Sequence, residues 1–150
     1  MTDCVFCRIS KKKEPASIIY EDKDAIAFMD IRPVNRGHAL VMPKKHYRDL
    51  LEMPPEEVGS LFKHVQKVAL KIKRVTGADG ISIMQSNGKA ALQDVFHMHV
   101  HVIPRFGADK TRTAFISLMK PLLKSPTRSE LDDVARLIKT VKGPGKKPKK

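Results

Sequence analysis

An alternating run of histidines and apolar residues, Phe96–Arg105, constrains the fold of this chain more than any other stretch. His97, His99 and His101 recur with a period of two, which predicts a β-strand because successive side chains leave a strand on opposite faces. The three imidazoles are therefore expected on one face of the strand. The residues expected to face a core are Met98, Val100 and Val102.

A row of imidazoles allows three interpretations from the residues alone. Alternate residues on a strand are about 6.5–7 Å apart, so two can share one metal ion, whereas three can do so only on a sharply bent strand. Buried histidines with satisfied hydrogen bonds are the second interpretation. The third is nucleophilic catalysis, in which one ring nitrogen attacks while a hydrogen bond to the other fixes the tautomer. Flanking histidines would then position and neutralise the attacked group.

The composition fits one domain that binds an anion. The 150 residues suffice for a single core, which we expect in residues 1–142, followed by a disordered lysine-rich tail over residues 143–150. The net charge of +13 suits a phosphate-bearing ligand or nucleic acid. With no Trp and two Tyr, the basic residues have few aromatic residues interleaved with them, so nucleic acid is expected only as a weak contact of the tail.

The two cysteines, Cys4 and Cys7, form a Cys-x-x-Cys pair that is a weak signal by itself. No stretch approaches the roughly 18 apolar residues of a membrane span, and the N-terminus lacks the apolar core of a signal peptide. We therefore expect a cytoplasmic protein without membrane contact, in which a disulfide is disfavoured. Redox chemistry, free buried thiols and a zinc site with two further ligands all remain open.

Other periodicities predict further strands and helices. A long helix should run from Pro54 to Gly77, with His64 just off its apolar stripe as an ordinary surface histidine. Shorter helices are expected over residues 6–12, in part of 111–123, and from Ser129 onward. Strands are expected over residues 18–21, 25–29, 38–42 and 81–85.

The pattern of residues 97–103 resembles the His-φ-His-φ-His-φ-φ signature of the histidine triad superfamily, where φ is apolar. Residues 25–31, 38–46 and 87–93 resemble that family in the same order, so the likeness covers about residues 4–106. It implies an α+β fold: an antiparallel sheet of about five strands, one long helix, a short N-terminal helix and here a C-terminal helical extension. The nucleotide-binding (Hint-like) branch of the family commonly forms homodimers through the long helix and an adjacent strand.

The resemblance also implies an activity, which is hydrolysis at the α-phosphate of a purine nucleotide of the AMP or GMP type through a nucleotidyl-histidine. His99 would attack, His101 would bind the phosphate, and His97 and His38 would support them. The favoured substrates are purine nucleoside phosphoramidates or adenylylated compounds, from which AMP is released. The alternatives are dinucleoside polyphosphate hydrolysis and a nucleotide-binding regulatory module with little turnover.

By the same likeness, two polar residues would contact the nucleotide. Asp30 would accept hydrogen bonds from the ribose hydroxyls, or else merely cap a turn, and Asn87 would contact the phosphate, or else merely form a turn. The apolar positions of the nucleotide site, which suit a core equally well, are Val5, Phe6, Ile9, Phe28, Ile31 and Val95.

Several family members hold zinc on positions that match Cys4, Cys7, His46 and His97. Such a site would be structural, because four protein ligands leave no open position to activate water.

Two positions depart from the family pattern beside Gln93. Leu92 stands where the family usually has glycine, and Asp94 stands where serine, threonine or glutamate lies near the leaving group. A carboxylate at position 94 would repel a polyphosphate leaving group but tolerate or favour an amine.

Overall fold

Five strands and three helices form the part of the chain that the computed structural model describes, residues 4–107 and 125–142. The strands are β1 (Ile18–Glu21), β2 (Ala25–Met29), β3 (Ala39–Pro43), β4 (Gly80–Met84) and β5 (Val100–Arg105). The helices are α1 (Val5–Ser10), α2 (Pro55–Thr76) and α3 (Arg128–Thr140). The strands pair antiparallel in the order β1-β2-β3-β5-β4, which confirms the predicted α+β fold. The predicted helical segment within 111–123 and the tail 143–150 lie outside the described residues.

The two faces of the sheet have different roles. One face is covered by α2 and α3, whose Val68, Ile72 and Ile138 are fully buried in the main core. The other face carries a smaller cluster in which Phe6 and Ile9 of α1 pack on side chains of β2 and β3. Residues alternate between these two clusters along the fully buried strands β2 and β3, as side chains on a strand must. The α1 face is therefore covered by a much shorter helix than the other face.

Local signals account for the helix ends. Glu56 and Glu57 lie in the first turn of α2, where the helix dipole favours negative charge, and Gly77 ends the helix with a left-handed φ of 66°. Helix α3 begins one residue earlier than predicted because Thr127 and Glu130 form a capping box. Among the described residues, no helix combines the length and apolar character that a membrane crossing requires.

The prediction that His64 is a surface histidine is wrong, because its side chain is buried. Its Nδ1 lies 3.0 Å from the hydroxyl of Tyr20 and 3.3 Å from a carboxylate oxygen of Asp22. The Tyr20 hydroxyl in turn donates to Asp22 at 2.6 Å. Burial, followed by the bond to Asp22 and the charge of Asp22, raises the pKa of Tyr20 to about 12. The cluster ties the β1–β2 hairpin to α2.

Asp22 should make a pH-dependent contribution to stability. Burial favours its neutral form, but hydrogen bonds from Tyr20 and the amides of Ala25 and Asp24 outweigh burial and lower the pKa of Asp22 to about 2. Because the folded pKa lies below the unfolded one, this stabilisation is present above about pH 4 and is lost as pH falls towards 2. We expect Asp22→Asn to lower the free energy of unfolding by about 1–2 kcal/mol at pH 7, after discounting for solvent screening.

Denaturant unfolding of both proteins from pH 7 to pH 2 measures this contribution, and the difference should shrink below pH 4. Asp24→Asn is the matched control, because that carboxylate is exposed and lies 3.8 Å from Lys23. An Asp22→Asn deficit that stays constant down to pH 2 would contradict the linkage.

Candidate functional site

The three histidines lie where β5 begins, although the regular strand is shorter than predicted. Strand β5 starts at Val100, and His97 and His99 precede it in a bend. The bend is held by the amide of His97, which donates to the carbonyl of Val95, and by the amide of Met98, which donates to that of Tyr47. The predicted alternation persists through the bend, since the intervening apolar residues are fully buried. These residues are Met98, Val100 and Val102.

The hydrogen bonds of His99 fix its tautomer. Its Nδ1 donates to the carbonyl oxygen of His97 at 2.7 Å, so Nε2 carries the lone pair. The ring is buried and stands edge-on to Phe6, with 5.1 Å between the ring centroids. Burial lowers the pKa of His99, although the bond to His97 and the charges of Asp30 and Asp94 oppose the shift. His99 is therefore a neutral imidazole with one unprotonated nitrogen, the form that a nucleophile requires.

A chain of three hydrogen-bonding groups sets the tautomer of His101. The amide of Val34 donates to Nδ1 of His38 at 3.0 Å, so the proton of His38 is on Nε2. That nitrogen lies 2.9 Å from Nδ1 of His101 and donates to it, which leaves the proton of His101 on Nε2. His101 is thus prepared to donate a hydrogen bond, and His38 acts through it as a positioning residue.

Asp30 stands beside this histidine pair and also caps a turn. Its Oδ1 accepts from the amide of Arg32 at 2.8 Å, as the turn-capping interpretation predicted. Its Oδ2 lies 3.4 Å from Nε2 of His38 and 3.7 Å from Nδ1 of His101. These three side chains are close enough to hold a cation. However, two of the ring nitrogens that face each other there already share a hydrogen bond, which makes the group a poor metal site.

A cavity of about 330 Å³ opens on the α1 face of the sheet. The ring of His99, which carries the unprotonated Nε2, lines this cavity. It is walled by α1, by the end of β2 with the turn that follows, and by the loop that leads into β5. The predicted nucleotide-binding residues that line it are Val5, Phe6, Ile9, Phe28, Asp30, Ile31, Asp94, Val95, His99 and His101.

Asn87 lies in the loop before β5, where its side chain is hydrogen-bonded within the protein. Its Oδ1 accepts from the amide of Leu50 at 2.9 Å, and its side-chain amide is paired with that of Gln85. Asn87 holds the loop together, as the turn interpretation predicted, and it is not among the residues that line the cavity. The neighbouring Ser86 lines the cavity instead.

Four polar residues of the cavity were not predicted. Arg32 and Ser86 adjoin predicted positions, so their proximity in sequence was a usable signal. Glu14 and Arg128 had no such signal. Arg128 comes from α3, which lies beyond the family likeness. Arg128 is oriented by bonds to the Ser17 hydroxyl at 3.2 Å and the Pro15 carbonyl at 3.4 Å.

A second group of side chains, beside the cavity, has the geometry of a tetrahedral metal site. Neighbouring ligand atoms around zinc are about 3.3–3.8 Å apart, given Zn–N near 2.0 Å and Zn–S near 2.3 Å. Nδ1 of His97 lies 3.6 Å from Sγ of Cys4, 3.5 Å from Sγ of Cys7 and 3.2 Å from Nδ1 of His46. Sγ of Cys7 lies 3.3 Å from Nδ1 of His46. The four predicted ligands therefore converge with the spacing that zinc requires.

The protonation of this group also suits a metal. Nε2 of His97 donates to the carbonyl of Pro43 at 2.9 Å, which leaves the lone pair on the converging Nδ1. Burial is the chief cause that lowers the pKa of His97 to about 4, and the nearby His46 and His99 add to the shift. The hydrogen bond to the carbonyl of Pro43 opposes it. Burial and then the contact with Cys4 raise the pKa of the Cys7 thiol, a shift that a bound cation would reverse.

Comparison with known proteins identifies the family. The profile of the HIT domain matches residues 11–108, about two thirds of the chain. The chain belongs to the HIT domain family. This HIT protein is 45% identical over 106 residues to an uncharacterized HIT-like protein of Methanocaldococcus jannaschii, a match covering 71% of the chain and 81% of that relative.

Two further similarities bear on the site of this HIT protein. It is 40% identical over 103 residues to the adenylylsulfatase HINT3 of Arabidopsis thaliana, which covers 69% of the chain and 52% of the plant protein. A zinc-bound histidine triad family protein from Mycobacterium smegmatis superimposes with a TM-score of 0.76 at 38% identity, covering 91% of both chains. The histidine triad resemblance and its fold are thereby confirmed.

Proposed function

We propose that this HIT protein hydrolyses purine nucleoside phosphoramidates or other adenylylated compounds at the α-phosphate, through a nucleotidyl-histidine on His99, and releases AMP. The observation that carries the proposal is the tautomer of His99, whose Nδ1 proton is held by the carbonyl of His97. The lone pair of Nε2 is thereby available to attack phosphorus in a cavity large enough for a nucleotide. The similarity to an Arabidopsis adenylylsulfatase supports a substrate with an adenylyl group.

The neighbouring side chains supply the remaining steps. His101 donates its Nε2 proton to a phosphoryl oxygen and neutralises the charge that develops during attack. Attack by His99 breaks the bond from phosphorus to the leaving group, and water then displaces the nucleotide from His99. Fixing these tautomers before substrate arrives removes a reorganisation cost from the barrier. His38 contributes by holding His101, and His97 by holding His99.

The cavity walls suit a purine nucleoside monophosphate. Phe6, Ile9 and Phe28 offer an apolar slot for the base. The rings of Phe6 and Phe28 already pack edge-to-face, with 5.4 Å between their centroids. The second oxygen of Asp30 is available to a ribose hydroxyl, in addition to its contact with the histidine pair. Arg32 and Arg128 add positive charge to the same cavity, which suits an anionic ligand.

We further propose that Cys4, Cys7, His46 and His97 hold a structural zinc ion. The spacing of the four ligand atoms and the zinc-bound mycobacterial neighbour support this assignment. The ligands belong to α1, to the turn after β3 and to the bend before β5, so the site would fasten these segments together. Because its Nδ1 is then occupied, His97 contributes rigidity rather than acid–base chemistry.

A homodimer through α2 and β4 is the proposed assembly. Strand β4 is an edge of the sheet, where unpaired backbone groups favour pairing with another strand. Large apolar side chains are exposed along this edge and on one flank of α2, at Phe62, Leu70, Ile83 and Met84. Light scattering of the purified chain should give twice the mass of 16.9 kDa, and Met84→Lys should shift it towards the monomer.

A substrate comparison tests the proposed activity. AMP release by the purified protein should be measured at equal concentrations of adenosine 5′-phosphoramidate and diadenosine tetraphosphate. We expect the phosphoramidate to give a kcat/KM at least about tenfold higher, because Asp94 repels a polyphosphate leaving group. A higher value for the tetraphosphate would make the protein a dinucleoside polyphosphate hydrolase. Binding of AMP without turnover of either compound would instead support a regulatory module.

A further inference from the structure

The backbone of Leu92 has a conformation that residues other than glycine rarely adopt. Its φ is 66° and its ψ is 29°, in the left-handed region, at the end of a single 3-10 turn over Lys89–Ala91. Gln93 fixes this geometry: its Oε1 accepts from the amide of Gly88 at 2.7 Å, and its Nε2 donates to the carbonyl of Arg48 at 2.7 Å. The loop is therefore held in a shape that suits glycine while presenting a leucine.

The fold offers no packing gain to offset this strain. The Leu92 side chain is 84% exposed, the most of any large apolar side chain in residues 4–107 and 125–142. Exposing a leucine also forgoes the free energy of burying its methyl groups. Neither backbone geometry nor the core accounts for leucine at this position, which directs attention to a contact that the side chain makes with a bound ligand. Strained residues cluster at such sites.

Leu92 lies at the mouth of the nucleotide cavity, on the wall formed by the loop before β5. Ser86 and Asp94 share this wall, and His99 lines the same cavity. Asp94 is exposed, and its side chain and that of His99 line the same cavity. The wall therefore combines an apolar surface with a carboxylate beside the nucleophile.

We infer that Leu92 and Asp94 form a subsite for the leaving group, which is an amine that bears an apolar substituent. The inference rests on the proposed function and specifies its substrate class. The apolar substituent covers Leu92, and the carboxylate of Asp94 attracts the amine nitrogen as it gains positive charge. An anionic leaving group of similar size gains nothing from Leu92 and is repelled by Asp94.

The step is balanced without any further reactant. His99 Nε2 forms a bond to phosphorus, and the phosphorus–nitrogen bond breaks with its electron pair remaining on nitrogen. The nitrogen takes a proton from water at the open mouth of the cavity and leaves as an amine. A second water molecule then displaces the nucleotide from His99, and the proton it loses neutralises the hydroxide left by the first. Overall, one water molecule is consumed, which supplies hydroxyl to phosphorus and hydrogen to nitrogen.

Two adenosine phosphoramidates with matched reactivity test the subsite. Ethylamine and hexylamine have similar basicity and differ by four methylene groups, so a difference in kcat/KM measures contact with the alkyl chain. Allowing for partial burial of those groups, we expect the hexyl compound to be favoured about tenfold. Leu92→Ala should lose most of this preference. The matched control is Leu51→Ala, because Leu51 is 82% exposed and is not among the residues lining the cavity.

The proposed role of the Asp94 carboxylate is tested separately, by removing its charge. Asp94→Asn should raise the kcat/KM for diadenosine tetraphosphate relative to the hexyl phosphoramidate by about five- to tenfold, because the repulsion is removed. Asp24→Asn, a change of the same charge at an exposed carboxylate outside the cavity, should leave that ratio unchanged.

The outcomes separate the subsite from the activity itself. Release of AMP at equal rates from the two phosphoramidates would overturn the subsite and leave the proposed function standing. No AMP from either compound would overturn both. If Leu92→Ala changes the oligomeric mass while the chain-length preference persists, Leu92 belongs to a contact between copies, and the subsite is wrong.

Discussion

His99→Ala should reduce kcat for adenosine 5′-phosphoramidate by at least about 10³-fold, the largest catalytic effect expected from one substitution in this chain. The loss follows from the unprotonated Nε2, which no neighbouring group can replace. His97 faces the cysteines, and His101 presents a proton rather than a lone pair. Steady-state AMP release measures kcat.

Rapid quenching with radiolabelled substrate identifies the nucleophile directly. The wild-type protein should yield an acid-labile adduct on His99, and His99→Ala should yield none. Nucleotide binding is the control: the alanine variant should bind AMP within a few-fold of wild type, because the base slot is intact. Turnover by wild type without any trapped adduct would contradict covalent catalysis, and undiminished turnover by the variant would exclude His99 as the nucleophile.

Cys7→Ser should abolish zinc binding and cause the largest loss of stability. We expect zinc content to fall from about one ion per chain to near zero. The apparent Tm should fall by roughly 10 °C, since a structural ion contributes several kcal/mol to folding and each kcal/mol shifts a chain of this size by a few degrees. Metal analysis and thermal unfolding of both proteins measure these effects.

Asp30→Asn is the matched control for the zinc assignment. It alters the other group of potential ligands, Asp30, His38 and His101, and should leave zinc content unchanged. Chelation of the wild-type protein should reproduce the Tm loss of Cys7→Ser, and added Zn²⁺ should reverse it. A wild-type protein that stays metal-free in excess zinc and unfolds at the same temperature with and without chelator would refute the site.

Side-chain periodicity was sufficient to predict which segments form strands and helices but not where those elements end, and their arrangement in an antiparallel sheet was predicted from the histidine triad resemblance. The period of two in β5 and the helical period in α2 depend on local geometry, so both elements were predicted together with the faces they bury. The bend at His97 was not predicted, because it depends on hydrogen bonds to Tyr47 and to Val95 rather than on an apolar pattern. Long-range contacts of this kind leave no periodic signal in the sequence.

The distinction between local sequence patterns and long-range contacts also explains which site residues were predicted. The four converging Cys and His side chains, which are candidate metal ligands, and most of the cavity residues lie at positions that the family motifs cover. His64 was misjudged because its partners, Tyr20 and Asp22, are more than forty residues away along the chain. For Asn87 the sequence left a turn role and a phosphate contact open, and it did not reveal the hydrogen bonds to Gln85 and Leu50 that the structure shows. The phosphate contact stays a prediction. Arg128 enters the cavity only through the docking of α3.

The proton of His101 is ultimately governed by a main-chain group, the amide of Val34, which among the common amino acids only proline at that position would remove. The turn that carries this amide is pinned at Gly37, where φ is 98° and an added β-carbon would come within 2.7 Å of the Thr76 methyl group. Alanine at position 37 would press against the last residue of α2 and displace the turn. Gly37 thus couples the far end of the long helix to the protonation of His101, although it contacts neither imidazole of the His38–His101 pair.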